Sequence, residues 1–292
     1  MDGGRVSGNA ETIWRGACMK YDVEIQLRVK HRQVDFGGFL PGNWEEIDPN
    51  RKHPAVILLA GGAYWRRSSR EKEPVALKLL GYGISPWILE YSVAPETFPQ
   101  SLCEVLTAVE WLREHSDEYG IDGENISVCG FSAGGHLAAS AGCLWDRDFI
   151  QEMLGDPGVL VRPDKVALCY PVITAGPYAH QESIRCLLGD KAEDETCRRL
   201  VSLEHQVGAG MPPVFLWHTA EDASVPVQNS LLFAMAVAAQ GKELELHIYP
   251  HGRHGLSTGD FTANAGLEPG DAYGCAGWVE KAAAFFCGTG KK

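Results

Sequence analysis

One short segment of the sequence has the residue types and spacing of a catalytic nucleophile. Residues 126–136 read ISVCGFSAGGH, in which Ser132 has a glycine two positions before it and another two positions after it. A serine at a sharp strand-to-helix turn has a strained backbone, and flanking glycines let the neighbouring chain pass without Cβ clashes. The pattern predicts a Ser132 hydroxyl that a substrate can reach. A turn that serves only packing is the alternative, and the strand and helix patterns on either side argue against it.

A nucleophilic serine needs a general base within hydrogen-bond reach and an acid that orients this base. After a G-x-S-x-G turn, the partners follow in the order serine, acid, histidine. The apolar run at 214–217 leads into HTAEDASVP, which places Asp222 on the loop at the end of a predicted strand. Glu221 is the neighbouring carboxylate that could take the same role. We predict that Asp222 is the acid.

Two histidines follow the next predicted strand and could serve as the base. The run at 244–249 leads into PHGRHG, which contains His251 and His254. An exposed loop histidine without a role is the alternative for each, but the order of strand, loop and histidine is the one that this chemistry requires. We predict that His254, which Gly255 follows directly, takes the proton of Ser132.

Two backbone regions could donate hydrogen bonds to the oxyanion that forms when a hydroxyl attacks an acyl carbon. The helix after Ser132 aims its free N–H groups and its positive end at the hydroxyl, so Ala133 is one predicted donor. The second donor is expected from the loop AGGAYW at 60–65, where glycines let the backbone turn its N–H groups toward the site. We assign it to Gly62 or Ala63, between which the sequence does not distinguish.

These loops require a scaffold that brings the ends of several strands together. Short apolar, often β-branched runs predict buried strands, and helical patterns separate them. Such connections cross over the sheet, so we predict an α/β fold with a mostly parallel, doubly wound sheet and helices on both faces. The alternation over 21–29 is typical of an antiparallel, partly exposed strand. The predicted buried strands are 55–60, 84–89, 126–129, 166–170, 214–217 and 244–249.

The helical patterns lie at 69–80, at 102–112, from about 132, at 231–239 and at 272–286. Ser68 and Glu71 have the spacing of a capping box for the first of these helices. Two segments, 146–164 and 174–211, break the alternation, and we expect them to be small surface insertions near the site. Residues 1–292 contain no internal repeat and no linker-like tract, so we expect a single domain.

Charge and composition argue against several classes of partner. The formal net charge is −12, and no dense cluster of Lys and Arg reverses it locally, so nucleic acid is not an expected partner. Residues 1–20 contain no apolar core segment, and no run elsewhere approaches the length of a bilayer span, so we expect a cytoplasmic protein without a membrane partner. The nine cysteines include no CxxC pair, and we expect neither a metal nor a cofactor.

Several blocks of the sequence, in order, resemble one family. With Ser132, Asp222 and His254 as the site, the chain is similar to the acetyl-esterase-like branch of the α/β hydrolases, bacterial proteins often labelled carbohydrate or acetylxylan esterases. In that family the oxyanion loop commonly has a third glycine where this chain has Ala63, which puts the donor geometry in question. The matching blocks are AGGAYWRRSSREKEPVA, YSVAP, GFSAGGHLA, YPVIT, WHTAEDASVPVQNS and HIYPHGRHGLS.

The resemblance implies a serine esterase that removes short acyl groups, above all acetyl, from carbohydrates or similar alcohols. The expected partner is thus a small-molecule or oligosaccharide ester, and the expected reaction is a two-step acyl transfer through an acyl-enzyme. Two other functions stay open, a serine peptidase of the same fold and a catalytically silent α/β hydrolase that acts as a binding module. The sequence indicates neither the alcohol half of the substrate nor the oligomeric state.

Overall fold

The structure, a computed structural model, describes residues 21–288. The expectation that residues 1–20 carry no export signal therefore lies outside the described residues. The described part contains one eight-stranded sheet with the strand order β1-β2-β4-β3-β5-β6-β7-β8. Its strands are β1 (Val23–Val29), β2 (Arg32–Gly38), β3 (His53–Leu59), β4 (Ser85–Leu89), β5 (Ile121–Phe131), β6 (Lys165–Cys169), β7 (Val214–Thr219) and β8 (Leu244–Tyr249).

The six strands β3 to β8 run parallel to one another, whereas β2 is antiparallel to both of its neighbours, β1 and β4. The helices that connect them are α1 (Glu73–Leu80), α2 (Gln100–Glu114), α3 (Ala133–Leu144), α4 (Asp148–Leu154), α5 (Gln181–Leu188), α6 (Glu195–Leu200), α7 (Gln228–Ala239) and α8 (Trp278–Cys287). Since parallel neighbours need crossover connections, this order places the carboxyl ends of β3 and β5 to β8 at one edge of the sheet.

The central strand β3 shows how both faces of the sheet are covered. Its alternate residues Ile57 and Leu59 belong to an apolar cluster with side chains of α2, α3 and α7, whereas Val56 and Leu58 belong to a second cluster with α1 and α8. Successive strand residues point to opposite faces, so the two clusters lie on the two sides of the sheet. The predicted doubly wound α/β fold is confirmed.

The structure differs from the sequence prediction at β2 and at the last helix. The strand β2 was not predicted, because its polar residues and its two glycines give only a weak strand pattern. It pairs with β1 over the full length of both strands, from Val23 opposite Gly38 to Val29 opposite Arg32. The predicted helix at 272–286 begins only at Trp278, after a segment of turns.

The predicted capping box at Ser68 and Glu71 is wrong. Ser68 makes no side-chain capping bond, and residues Ser69–Glu71 form a short 3-10 turn. The helix α1 begins later, with Pro74 in its first turn, where proline is tolerated because the missing N–H would have no partner in the helix. The carboxylate of Glu71 instead points inward and is buried.

The two segments that break the alternation fold into short helices. Residues 146–164 contain α4 and a 3-10 turn at Gly158–Val161, and residues 174–211 contain α5, α6 and two further 3-10 turns. Among residues 21–288, no helix combines the length and the apolar character needed to span a membrane.

Candidate active site

Ser132 forms the turn between β5 and α3. Its backbone has φ 55° and ψ −117°, a region that side chains other than glycine rarely occupy. Hydrogen bonds hold this conformation: the Ser132 N–H donates to the Cys169 carbonyl at 3.0 Å, and the Ser132 carbonyl accepts from the N–H of His136 and of Val172 at 3.0 Å each. The surrounding structure therefore compensates a strain that is typically of order 1–3 kcal/mol.

The glycines on both sides of Ser132 are required by close backbone contacts. A Cβ at Gly130 would lie 2.0 Å from the carbonyl oxygen of Gly134, and a Cβ at Gly134 would lie 2.1 Å from the carbonyl oxygen of Leu59. Neither obstacle is a flexible side chain, because both atoms belong to the backbone. The tight strand-to-helix turn is thus possible only with these two glycines.

Three side chains from distant parts of the chain form one hydrogen-bond relay. His254 Nε2 lies 2.8 Å from Ser132 Oγ, and His254 Nδ1 lies 2.6 Å from Asp222 Oδ2. Asp222 stands on the loop after β7, and His254 stands on the loop after β8. Since Asp222 accepts a hydrogen bond from Nδ1–H, the Nε2 atom of the neutral ring carries no proton and can accept the proton of the Ser132 hydroxyl.

The side chain of Asp222 is completely buried, and its two oxygens accept four hydrogen bonds. Oδ1 accepts from the N–H of Ser224 and of Val225, each at 2.9 Å, and Oδ2 accepts from His254 and from His218 Nε2 at 3.2 Å. Burial alone would raise the pKa of Asp222, but the bonds from His218, His254 and the Val225 backbone lower it well below its usual range. Asp222 is therefore held as a carboxylate.

His218 supports Asp222, a role that was not predicted from the sequence. Its Nδ1 lies 2.7 Å from Ser230 Oγ, and its Nε2 also lies 3.0 Å from the Val225 carbonyl oxygen. These contacts fix the ring so that Nε2 donates to Asp222. A histidine four residues before the acid, at the end of a buried strand, is the signal that could have suggested this role.

The competing residues of the sequence analysis, Glu221 and His251, contact each other and not Ser132. His251 Nδ1 lies 2.8 Å from Glu221 Oε1, and both side chains are largely exposed. The structure therefore brings Asp222 and His254, but not their neighbours, to the serine.

The predicted oxyanion donors lie on both sides of Ser132. The N–H groups of Gly62, Ala63 and Ala133 donate no hydrogen bond to any residue from 21 to 288. Gly62 and Ala63 both have positive φ, 136° and 54°, and a Cβ at Gly62 would lie 2.3 Å from the Arg66 carbonyl oxygen. Ala63 thus takes a left-handed conformation at the position where the family resemblance expects glycine.

A buried carboxylate behind this loop, Glu71, was not predicted as part of the site. Its Oε2 accepts from the Gly61 N–H at 2.7 Å, and its Oε1 accepts from the Tyr170 hydroxyl at 2.8 Å. Burial raises the pKa of Glu71, and the hydrogen bonds from Tyr170 and Gly61 offset part of this effect. Tyr170 also accepts from the Ser257 N–H at 3.0 Å, and its ring meets the His254 ring edge to face at 5.1 Å. Together with Tyr170, Glu71 therefore connects the loop at 60–65 with the loop that bears His254.

His136 supports the loop at 60–65 from the other side. Its Nδ1 lies 2.9 Å from the Tyr64 hydroxyl, and its Nε2 lies 2.8 Å from the Val201 carbonyl oxygen. Burial lowers the pKa of His136 to about 4, so the ring is neutral at neutral pH. A neutral ring can accept from Tyr64 and donate to Val201 at the same time.

The Ser132 hydroxyl opens into a cleft of about 200 Å³. Its walls are formed by the loop at 61–71, by His180 and Glu182 at the start of α5, and by Ser224 and Gly255 on the loops that bear Asp222 and His254. Within residues 21–288, no three His, Cys, Asp or Glu side chains are arranged to hold a metal ion.

The chain matches the BD-FAE family model over residues 46–237. It is 34% identical over 241 residues to endo-1,4-beta-xylanase B of Butyrivibrio fibrisolvens, an alignment that covers 80% of this chain and 37% of that protein. It is 26% identical to an acetylxylan esterase of Xylanibacter ruminicola, covering 73% of this chain and 43% of that protein. The chain thus spans less than half the length of these two relatives.

A solved structure covers the chain more evenly. The acetyl ester-xyloside bifunctional hydrolase from Caldicellulosiruptor lactoaceticus superposes with a TM-score of 0.73 at 35% identity, with 88% of each chain covered. Together with the α/β fold and the strand-to-helix turn at Ser132, these findings agree on one family. The chain belongs to the BD-FAE family, has the α/β-hydrolase fold and is similar to proteins named as acetyl-ester hydrolases.

Proposed function

We propose that the chain hydrolyses short-chain acyl esters, above all acetyl esters, of carbohydrates or similar alcohols, with Ser132, His254 and Asp222 as the catalytic triad. The observation that carries the proposal is the unbroken relay from Ser132 Oγ to His254 Nε2, at 2.8 Å, and from His254 Nδ1 to Asp222 Oδ2, at 2.6 Å. This geometry permits proton transfer from the hydroxyl to the imidazole without movement of either side chain.

The reaction begins when the Ser132 oxygen attacks the ester carbonyl carbon and His254 Nε2 takes the hydroxyl proton. Asp222 holds the ring in the required tautomer and stabilises the imidazolium that forms. His254 then gives the proton to the alcohol oxygen, the bond to the alcohol breaks, and the acyl group remains on Ser132. Water, from which His254 takes a proton, cleaves this acyl-enzyme and releases the acid.

The negative charge on the carbonyl oxygen is stabilised by backbone N–H groups. Ala133 provides one donor, and Gly62 or Ala63 provides the other, a role that their unpaired N–H groups support. The positive end of α3 points at the same place. Each donor of this kind typically contributes about 3 kcal/mol to stabilisation of the transition state.

The small volume of the cleft and the printed activities of the relatives support short acyl groups on a carbohydrate. A cleft of about 200 Å³ is below the usual size of a site for a drug-sized ligand. Of the three similar proteins described above, two are named for acetyl esters and all three for xylan or a xyloside. We further propose that residues 1–292 act as one cytoplasmic domain in which 146–164 and 174–211 are insertions.

The test compares wild type and Ser132→Ala on p-nitrophenyl acetate, butyrate and octanoate, on acetylated xylo-oligosaccharides and on an aminoacyl anilide. We expect the highest kcat/KM on the acetyl esters and none of this activity in Ser132→Ala. A fluorophosphonate should label wild type but not Ser132→Ala.

Each other result has a distinct meaning. Preference for octanoate would remove the short-acyl assignment, and preference for the anilide would favour a peptidase. If the fluorophosphonate did not label Ser132 and no ester were cleaved, the chain would be a binding module and not an enzyme.

A further inference from the structure

Three polar side chains of the cleft wall, those of Arg70, His180 and Glu182, present polar atoms that make no hydrogen bond to residues 21–288. Arg70 donates no side-chain hydrogen bond and forms no ion pair with any residue from 21 to 288. Glu182, on the first turn of α5, likewise has no side-chain partner in that part of the chain. Its guanidinium has five N–H groups that can donate hydrogen bonds, none of which is bonded to residues 21–288, and it is a half-buried part of the cleft wall.

His180 also presents a free donor to the cleft, and its ring is fixed. It is the N-cap of α5, where its Nδ1 accepts from the Ser183 N–H at 3.3 Å and lies 2.9 Å from Ser183 Oγ. Because Nδ1 is used as an acceptor, the proton of the neutral ring is on Nε2, which has no partner among residues 21–288. Burial and the neighbouring His254 lower the pKa of His180, which favours this neutral form.

The direction of proton transfer shows which half of the substrate these groups face. His254 Nε2 must deliver its proton to the leaving alcohol oxygen, so the alcohol half lies beside His254. Arg70 is adjacent, since its Nη2 lies 3.3 Å from the position that a Cβ at Gly255 would occupy. His180 is close enough for the charge of His254 to act on it. Both donors therefore lie on the side of the cleft where His254 would protonate the leaving alcohol.

We propose that Arg70, His180 and Glu182 form the subsite that binds the ring hydroxyl groups of the proposed carbohydrate alcohol, and that these residues set a preference for a polyhydroxylated ring over an alkyl alcohol. Two donors and one acceptor match hydroxyl groups, which both donate and accept. An alkyl alcohol would leave all three unpaired, and a carboxylate would face Glu182. This inference depends on the proposed function, because it uses Ser132 and His254 as the reacting groups.

The test uses two acetyl esters that differ only in the hydroxyl groups of the ring, a monoacetylated methyl xyloside and cyclohexyl acetate. His180→Asn keeps an N-cap acceptor for the Ser183 N–H but removes the donor in the cleft. Arg70→Met keeps the aliphatic stem and removes the guanidinium. Acetate release gives kcat/KM for each ester, and the measured quantity is the ratio of the xyloside value to the cyclohexyl value.

We expect wild type to prefer the xyloside and each variant to lower the ratio about tenfold, the effect of one lost hydrogen bond. The double variant should lower it about 100-fold. His251→Asn, a histidine outside the cleft, should leave the ratio as in wild type. A melting temperature of His180→Asn within a few degrees of the wild-type value would show that the cap is retained.

The subsite assignment is overturned if the variants leave the ratio of the two kcat/KM values unchanged, even when both values fall. It is also overturned if wild type prefers cyclohexyl acetate. In each of these cases the proposed function still stands, provided that wild type releases acetate and Ser132→Ala does not. If Ser132→Ala releases acetate as fast as wild type, the proposed function is wrong and the assignment that depends on it is wrong as well.

Discussion

Two histidine–carboxylate pairs lie next to each other on the loops after β7 and β8, and only one of them contacts a serine. Asp222 and His254 are 2.6 Å apart, and their side chains are 0% and 22% exposed. Glu221 and His251 are 2.8 Å apart, and their side chains are 58% and 81% exposed. The two pairs have the same chemistry and nearly the same geometry, so they differ in their surroundings.

The comparison shows that burial, supporting hydrogen bonds and contact with Ser132 make one pair, and not the other, a candidate for catalysis. Asp222 accepts hydrogen bonds from two backbone N–H groups and from His218, in addition to His254. Among residues 21–288, Glu221 contacts only His251 and the Gly252 N–H, and its side chain is largely exposed. Interactions between exposed charges are weakened by solvent and salt, whereas a buried pair keeps its orientation and its electrostatic strength.

The largest expected effect is that of removing the histidine that contacts Ser132. His254→Ala should lower kcat on p-nitrophenyl acetate on the order of 10⁴- to 10⁶-fold, because the serine loses its general base. His251→Ala, the matched change in the exposed pair, should stay within about twofold of wild type. Comparable losses in both variants would show that the two pairs do not differ in function.

The second effect concerns the carboxylates. Asp222→Asn should lower kcat about 10³- to 10⁴-fold, since the amide cannot fix the required tautomer of His254. Glu221→Gln should leave kcat nearly unchanged. Steady-state rates of both variants on the same ester test this prediction, and a large loss in Glu221→Gln would reverse the assignment of the acid.

Glu71 tests whether burial alone makes a carboxylate important for the rate, because it is a buried carboxylate near His254 that accepts no hydrogen bond from a histidine among residues 21–288. Glu71→Gln replaces one acceptor oxygen by an amide group that faces a donor, so we expect a loss of about 1–3 kcal/mol in the free energy of unfolding. The displaced Gly61 and Tyr170 should lower kcat on the order of 10- to 100-fold. Urea unfolding and steady-state rates provide the measurements.

The control for this change is Glu73→Gln. Glu73 lies two residues further on, in the first turn of α1, and makes no side-chain hydrogen bond within the described range. It should resemble wild type in both stability and rate. Equal losses in the two variants would refute a special role for Glu71.

The smallest expected effect is a difference in the pH dependence of stability. The pKa of Asp222 is depressed in the folded state, so its contribution is present above its unfolded pKa and is lost as pH falls through the folded pKa. The pKa of Glu71 is raised, so its contribution is present below its unfolded pKa and is lost as pH rises through the folded pKa.

The stability difference between wild type and Asp222→Asn should therefore shrink toward acid pH, and that between wild type and Glu71→Gln should shrink toward neutral pH. Urea unfolding of the three proteins from pH 3 to pH 8 measures both trends. Parallel curves for all three would contradict the two opposite pKa shifts.

Local patterns predicted the scaffold well where a segment is apolar and continuous. The buried strand predicted at 166–170 agrees with β6, and the pattern at 102–112 lies within α2. The strand predicted at 244–249 coincides with β8, but the prediction that it is buried is wrong, because β8 is the edge strand and its residues are half-buried or exposed. The strand β2 was missed because its stability comes from pairing with β1, and its own sequence does not predict this pairing. The helix after Gly277 was predicted too early, since an apolar run does not show where a turn ends.

The sequence by itself determined the order of strand, turn and loop at Ser132, Asp222 and His254, because chain direction and glycine spacing are local properties. Only the tertiary structure decided that Asp222 is buried while Glu221 is exposed, and that Glu71 contacts Gly61 and Tyr170 instead of capping a helix. Burial and hydrogen bonding depend on which distant segments the sheet brings together, and residues 71, 170 and 257 meet only after it has folded. Adjacent residues of similar type can thus have opposite environments, and a local sequence pattern does not predict this difference.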